Sequence, residues 1–270
     1  MHLSDAIAVL KAAGIEDAAL EAQIIFETFG GIPRYRMLGC DPACDDAHIE
    51  SALARRTLRE PLAYIIGETY FRGERYRVSP DVLIPRPDTE VLVERAIALL
   101  PPHAHFLDLC TGSGCVAISV LTARPDCTAH AYDLSEKALA VAEENAHING
   151  VSSRVVFSQS DLLHERVPTN GARFILSNPP YIAPNEMPTL SPELAFEPRI
   201  ALEAEENGLL FYRVFLQAYG EALKDGGFFL FEIGHTQAEM LAALARDADY
   251  GATFTRDLAG KQRVALCRAL

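Results

Sequence analysis

Short apolar runs alternate with helix-patterned segments from residue 105 to residue 247, and few architectures satisfy that order. The pattern predicts strands over 105–109, 128–132, 154–158, 174–177 and 228–233, with helices over 115–123, 135–149, 209–223 and 237–247. Strands separated by helices pair in parallel, with right-handed crossovers that place helices on both faces. Residues 253–258 and 263–266 follow one another across Gly260 without a helix, which predicts a terminal antiparallel pair added to the sheet. The expected fold is therefore α/β: a doubly wound, mostly parallel sheet of seven strands. In such sheets ligands bind outside the carboxyl ends of the strands.

Two further segments precede this one. Residues 1–67 read as a helical domain, with Ser4 and Asp45 or Asp46 as caps, Gly14 and Gly30-Gly31 as stops, and Pro61 closing the third helix. Arg55, Arg56 and Arg59 read most simply as a solvated face there, with contact to an acidic partner as the alternative. Residues 68–87 alternate aromatic and polar positions through Tyr70, Phe71, Tyr76 and Val78, with a turn at Gly73-Glu74, and predict a hairpin connector. The stretch Pro85-Arg86-Pro87-Asp88-Thr89-Glu90 then stiffens the approach to residues 88–270, Asp88 being placed to cap the next helix. A rigid linker and direct ligand contact both remain open for it.

Composition excludes several classes. With 270 residues, 49% of them apolar, the chain can bury a full core, and its formal net charge of −13 argues against a surface built to neutralise nucleic-acid phosphates. Six cysteines at 40, 44, 110, 115, 127 and 267 form no Cys-x-x-Cys, and the eight histidines form no spaced ligand set, so the expectation is reduced thiols and no metal. No basic region precedes an apolar run at the amino end, and no stretch reaches membrane-spanning length. The expectation is a cytoplasmic protein.

Chemistry concentrates at the predicted strand ends. Asn178-Pro179-Pro180-Tyr181 follows the 174–177 strand. Two prolines present carbonyls without N–H groups, in a rigid acceptor array. The Asn178 side-chain oxygen and the Pro179 carbonyl could together accept both hydrogens of one planar NH2 group, while Tyr181 offers a flat face and a hydroxyl. Asp108-Leu109-Cys110-Thr111-Gly112-Ser113-Gly114 lies after the first strand, where glycines let the backbone approach a ligand. With Ala117 it also fits Gly-x-Gly-x-x-Ala, so a nicotinamide dinucleotide site stays a rival. Asp108 favours a cationic ligand over a pyrophosphate. Asp133 could accept from a ribose hydroxyl pair, and Asp161 with Leu162 could meet an adenine amine and ring. Together these point to S-adenosylmethionine and an amine or amide acceptor.

In these motifs the chain resembles the peptide chain release factor N5-glutamine methyltransferases: Pro85 to Glu90, Asp108 to Gly114, Asn178 to Tyr181 and Phe196-Glu197-Pro198-Arg199 occur in the family's order. The resemblance covers nearly the whole chain. It implies a Rossmann-like methyltransferase with a helical substrate-recognition domain, methylating the glutamine amide in the Gly-Gly-Gln loop of release factors. It implies that Cys110, Thr111, Gly112, Ser113, Gly114, Asp133, Asp161, Leu162 and Asn178 contact the donor, and that Asn178, Pro179, Pro180 and Tyr181 hold the glutamine. Cys110 stands where the family commonly has glycine, and Leu162 where a bulkier aromatic is frequent. Rival readings are an adenine-specific nucleic-acid methyltransferase, which would use the same clamp, and a noncatalytic donor-binding protein, which would leave the clamp unexplained.

Overall fold

A computed structural model describes residues 1–223 and 226–270. The chain forms two compact units, Met1–Glu68 with Ser191–Phe196, and Thr69–Leu190 with Glu197–Leu270. The sequence-based boundary after residue 67 thus misses six residues that return to the first unit from beyond residue 190.

The first unit is helical: α1 (Leu3–Ala12), α2 (Ala18–Gly30), α3 (Ala47–Thr57) and α4 (Leu62–Ile66). Leu3, Ala6 and Leu10 of α1 share a buried cluster with Ala22, Ile25 and Phe26 of α2 and Ile49 and Leu53 of α3, the spacing of one apolar helix face. Asp46 caps α3 through the His48 N–H. Ser4 does not cap α1; the helix begins one residue earlier, and the Ser4 hydroxyl donates to Asp41. α4, a single short turn after Pro61, leaves no periodic signal long enough to predict. Arg55 is exposed, as a solvated face requires, but Arg56 and Arg59 are a second correction. Arg56 is 6% exposed, its Nε 2.6 Å from Glu21 Oε2 and its Nη1 3.2 Å from Glu193 Oε1. Arg59 reaches the same Glu193 oxygen at 2.6 Å. A guanidinium that deep needs carboxylate partners, and these lie too far along the chain for a local pattern to reveal.

The second unit opens with the hairpin β1 (Glu68–Phe71) and β2 (Glu74–Arg77), then α5 (Pro87–Leu99). Pro87 is the first helical residue, where a missing N–H costs nothing. Asp88 is therefore inside the first turn rather than at the cap, and pairs with Arg263 at 2.9 Å. There follow β3 (His105–Leu109), α6 (Cys115–Ala123), β4 (Thr128–Asp133), α7 (Glu136–Ile148), β5 (Val155–Gln159), β6 (Phe174–Ser177), the irregular turn α8 (Glu205–Gly208), α9 (Leu210–Tyr219), β7 (Phe228–Glu232), α10 (Ala238–Asp247), β8 (Tyr250–Arg256) and β9 (Gln262–Ala269). The seven strands lie in the order β5-β4-β3-β6-β7-β9-β8, with β9 antiparallel to both of its neighbours, β7 and β8, and the other pairings parallel. This is the predicted doubly wound sheet with its terminal antiparallel pair.

Alternation along the strands divides the interior into two cores. Phe106, Phe228 and Leu230 face one side with Leu92, Val93 and Ala96 of α5 and Val116 and Val120 of α6. Leu107, Leu109, Phe229 and Phe231 face the other with Tyr212, Phe215 and Tyr219 of α9 and Leu241 of α10. All six cysteines are free thiols, three of them buried. Among the described residues no helix is long and apolar enough to cross a membrane.

Asn145, fully buried on α7, ties the hairpin to the loop after β3. Its Oδ1 accepts from the Arg77 N–H at 2.6 Å, while its Nδ2 donates to the carbonyls of Arg77 at 3.1 Å and Ser113 at 2.9 Å. Asn145→Leu keeps the branched shape and abandons these partners, at an expected cost of about 1–3 kcal/mol. The urea midpoint should fall with an unchanged slope; an unchanged midpoint would show that Asn145 does not support the loop.

Candidate active site

Parallel register brings four strand ends to one edge. Leu109 at the end of β3 is level with Tyr132 on β4 and Ser177 on β6, and Asp133 is level with Gln159 on β5. The order of connection reverses between β4 and β6, on either side of β3, and a crevice opens there. A cavity of about 320 Å³ occupies it, within the range of small-molecule sites. Its walls include Cys110, Thr111, Gly112, Ser113, Asp133, Asp161, Leu162, Asn178 and Pro180 from the predicted set, and also Arg86, Thr89, Leu134 and Phe211.

Asp108, Gly114, Pro179 and Tyr181 are not on that wall. Asp108, 1% exposed, stands behind the loop. Its Oδ2 accepts from the Thr111 hydroxyl at 2.6 Å and the Ala117 N–H at 3.2 Å, while Oδ1 is buried without a partner. Burial, opposed by those two donors, pushes its carboxyl up to about 7. Gly114 packs inward, where a Cβ would meet Ile118 Cδ1 at 2.8 Å and Ala142 Cβ at 3.1 Å.

Tyr181 lies against the second core, and its hydroxyl donates to Glu232 Oε1 at 3.3 Å. The hydroxyl expected to orient a ligand is thus engaged within the protein. Glu232, 1% exposed at the end of β7, has its other oxygen unpartnered. Burial raises its carboxyl to about 7, against the hydroxyls of Thr89 and Tyr181. Asn178 donates from Nδ2 to the Thr89 hydroxyl at 3.3 Å.

Asp133 joins neighbouring loops by accepting from the Gly112 N–H at 2.8 Å and the Ser135 N–H at 3.0 Å. Burial raises its pKa; those N–H groups resist the shift. Asp161 is held differently, by the His164 ring at 2.8 Å and the Leu163 N–H at 3.2 Å, and the His164 bond lowers its pKa. Cys110 sits at φ +61°, a left-handed conformation that explains why glycine suits this position; the Cβ costs about 1–2 kcal/mol there. Leu162 is buried and forms apolar wall.

Sequence reasoning missed Glu232, Thr89 and the pair formed by Arg86 and Glu197. Glu197, 5% exposed, takes the Arg86 guanidinium and accepts from the Ile84 N–H at 3.1 Å. Pro85 to Glu90 is thus linker and cavity wall together. Arg86, Thr89 and Glu197 stood within quoted motifs and Glu232 only at the end of a predicted strand; nothing local identified partners 111 positions apart, as Arg86 and Glu197 are.

Comparison with known proteins follows this geometry. Residues 2–67 match the PrmC N-terminal domain model, and residues 87–208 the methyltransferase small domain model. A release factor glutamine methyltransferase of Cereibacter sphaeroides is 41% identical over 98% of this chain and 96% of its own. One of Bordetella pertussis is 41% identical over 91% of this chain and 93% of its own. The hMettl16 catalytic domain, solved in complex with MAT2A 3'UTR hairpin 6, superposes with a TM-score of 0.60 at 15% identity, covering 86% of this chain and 85% of that one. At that identity the likeness is one of fold.

Asp108 has a measurable consequence. Its carboxyl keeps a proton up to about 7 in the fold, against an ordinary value of 3.8. Its contribution to stability is therefore full below 3.8 and is lost as the pH rises through about 7. Asp108→Asn cannot ionise, so urea unfolding at about pH 5 and about pH 8 should show a smaller loss of stability in the variant than in the wild type. Equal losses would remove Asp108 as the source.

Proposed function

We propose, from the premise that this chain belongs to the release factor glutamine methyltransferase family, that it transfers a methyl group from S-adenosylmethionine to the glutamine side-chain amide in the Gly-Gly-Gln motif of peptide chain release factors. The observation that carries this reading is the placement of Asn178, at the end of β6, on the wall of the same cavity as Asp133 and the Cys110–Ser113 loop.

The residues fit the donor. Asp133 and Asp161 give the wall two carboxylates, Leu134 and Leu162 supply apolar surface, and Gly112 has open space where a Cβ would stand. Asp108, whose Oδ1 has no partner, adds negative character behind the loop only as its carboxyl ionises through about 7, which is favourable to a cation. In this reading Asp133 would accept from the ribose hydroxyls, Asp161 would accept from the adenine amine, and the backbone of Cys110, Thr111, Gly112 and Ser113 would lie along the amino-acid portion. When bound, S-adenosylmethionine supplies an electrophilic methyl group on a sulfonium.

The chain's own residues would do the rest. An amide nitrogen is a poor nucleophile because its lone pair is delocalised into the carbonyl. In this reading the Asn178 side-chain oxygen, on the cavity wall, would accept one of its hydrogens and the carbonyl of Pro179, which is not itself on that wall, the other, fixing the nitrogen and favouring a lone pair aimed at the methyl group. Pro180 closes the cavity wall beside them. Tyr181 steadies the turn from behind through Glu232, and the Gln237 amide donates to the Tyr181 carbonyl at 2.9 Å. Beyond the turn, Ile182 exchanges backbone hydrogen bonds with the carbonyl of Leu202 and the N–H of Ala204, both 2.9 Å long.

Three experiments test the reading. Labelled S-adenosylmethionine is supplied with whole release factor, with a short Gly-Gly-Gln peptide, and with DNA or RNA. Label should enter whole factor best if the helical unit recognises the protein; label in nucleic acid alone would overturn the assignment. Asp133→Ala should weaken donor binding in calorimetry, and unchanged affinity in a folded variant would remove the ribose contact. Asn178→Ala should lower single-turnover methylation on the order of a hundredfold, with a much smaller effect on donor affinity. Asn178→Asp, which keeps an acceptor, should be less damaging. Wild-type turnover in Asn178→Ala would sink the clamp.

A further inference from the structure

An asparagine amide has two ends of nearly the same shape and opposite hydrogen-bonding character. A clamp for an NH2 group works only if Asn178 turns its oxygen to the ligand; with the amide rotated by half a turn, donor would face donor. Something in the protein must choose.

The surroundings of Asn178 contain such a device. Its Nδ2 lies 3.3 Å from Thr89 Oγ1. Thr89 is 1% exposed, in the first turn of α5, so water has little part in its hydrogen bonding. A hydroxyl owns one proton. If that proton points away from Asn178, only lone pairs face the amide, and the amide must offer its NH2. A Thr89 hydrogen bond is among the influences that hold the Glu232 carboxyl down against burial, and an ionised carboxylate has no proton to give. The order of donation then runs from Asn178 NH2 to Thr89 and from Thr89 to Glu232. Tyr181 also donates its hydroxyl to Glu232 Oε1 at 3.3 Å. One carboxylate at the end of β7 thereby references both the first and the last residue of the Asn178–Tyr181 turn.

We infer that Thr89 and Glu232 are positioning residues which turn the Asn178 side-chain oxygen, and not its NH2, toward the cavity. The inference rests on the amide-methylation reading and deepens it: Thr89 lies on the cavity wall beside Asn178, and both residues are assigned to act through Asn178. Thr89→Val removes the hydroxyl at nearly constant volume and frees the amide to rotate. Thr89→Ser keeps the hydroxyl. Glu232→Gln replaces an acceptor-only group by one that can also donate, which weakens the imposed order.

The test is single-turnover methylation of release factor with parallel calorimetry of the donor, at about pH 8, on the alkaline side of the Glu232 titration. Thr89→Val is expected to lower kcat on the order of a hundredfold, the loss of one oriented acceptor. Its donor dissociation constant and circular dichroism should stay those of the wild type. Thr89→Ser should recover most of the rate, and Glu232→Gln should lose rate in the same sense as Thr89→Val. A wild-type rate in Thr89→Val overturns the inference. So does a loss of donor affinity or fold in step with the rate, since the residue would then be structural. If the wild-type protein leaves release factor unlabelled, the function itself fails; if it labels the factor and Thr89→Val matches it, only the positioning role fails.

Discussion

Parallel pairing of β3 with β4 on one side and β6 on the other is the constraint on which the site depends. Side-by-side register makes Leu109, Tyr132 and Ser177 end together, so the loops that follow emerge at one edge whatever their sequence. The loops are then stitched laterally. Thr111 N–H donates to the Tyr132 carbonyl at 3.0 Å, Ser160 N–H donates to the Asp133 carbonyl at 3.0 Å, and the Ser177 hydroxyl donates to the Leu109 carbonyl at 2.6 Å. Backbone polar groups at a buried strand end need partners, and here the neighbouring loop supplies them. The same bonds that satisfy the sheet edge hold the cavity wall.

Carboxylates are concentrated around that wall. Asp108, Asp133, Glu197 and Glu232 all have raised pKa values, each with burial as the leading cause. Burying an acid is unfavourable unless it is paired or bonded, and each has a different solution. Glu197 takes Arg86, Asp133 takes backbone N–H groups, Asp108 takes a hydroxyl and an N–H, and Glu232 takes hydroxyls. Asp108 and Glu232 each retain one oxygen without a partner. As these acids ionise, a cationic ligand would find this edge favourable in advance of any direct contact, which suits a sulfonium donor better than a pyrophosphate. It also separates the two functions of the acids, those on the wall and those behind it that hold the wall in shape.

Sequence by itself determined the alternation of strands and helices, the antiparallel tail and the loops that would carry chemistry, because each depends on periodicity or turn chemistry within a few residues. Leu107 and Phe106 fall on opposite cores for no reason beyond the two-residue repeat of a strand. Cys110, Asp133, Asp161 and Asn178 could be placed together on paper because each follows a strand, and parallel strands bring such positions to one edge.

Only the tertiary structure decided which way the side chains there turn. Tyr181 directs its hydroxyl to Glu232, 51 positions away, and Asp108 withdraws behind the loop it had been expected to line. Arg56, read from its neighbours as exposed, is buried because Glu21 and Glu193 meet it from 35 and 137 positions away. Such pairings depend on distances set after the chain has folded, and no local pattern records them. Periodicity tells which face a residue occupies; the hydrogen bond it makes on that face depends on partners brought there by the rest of the chain.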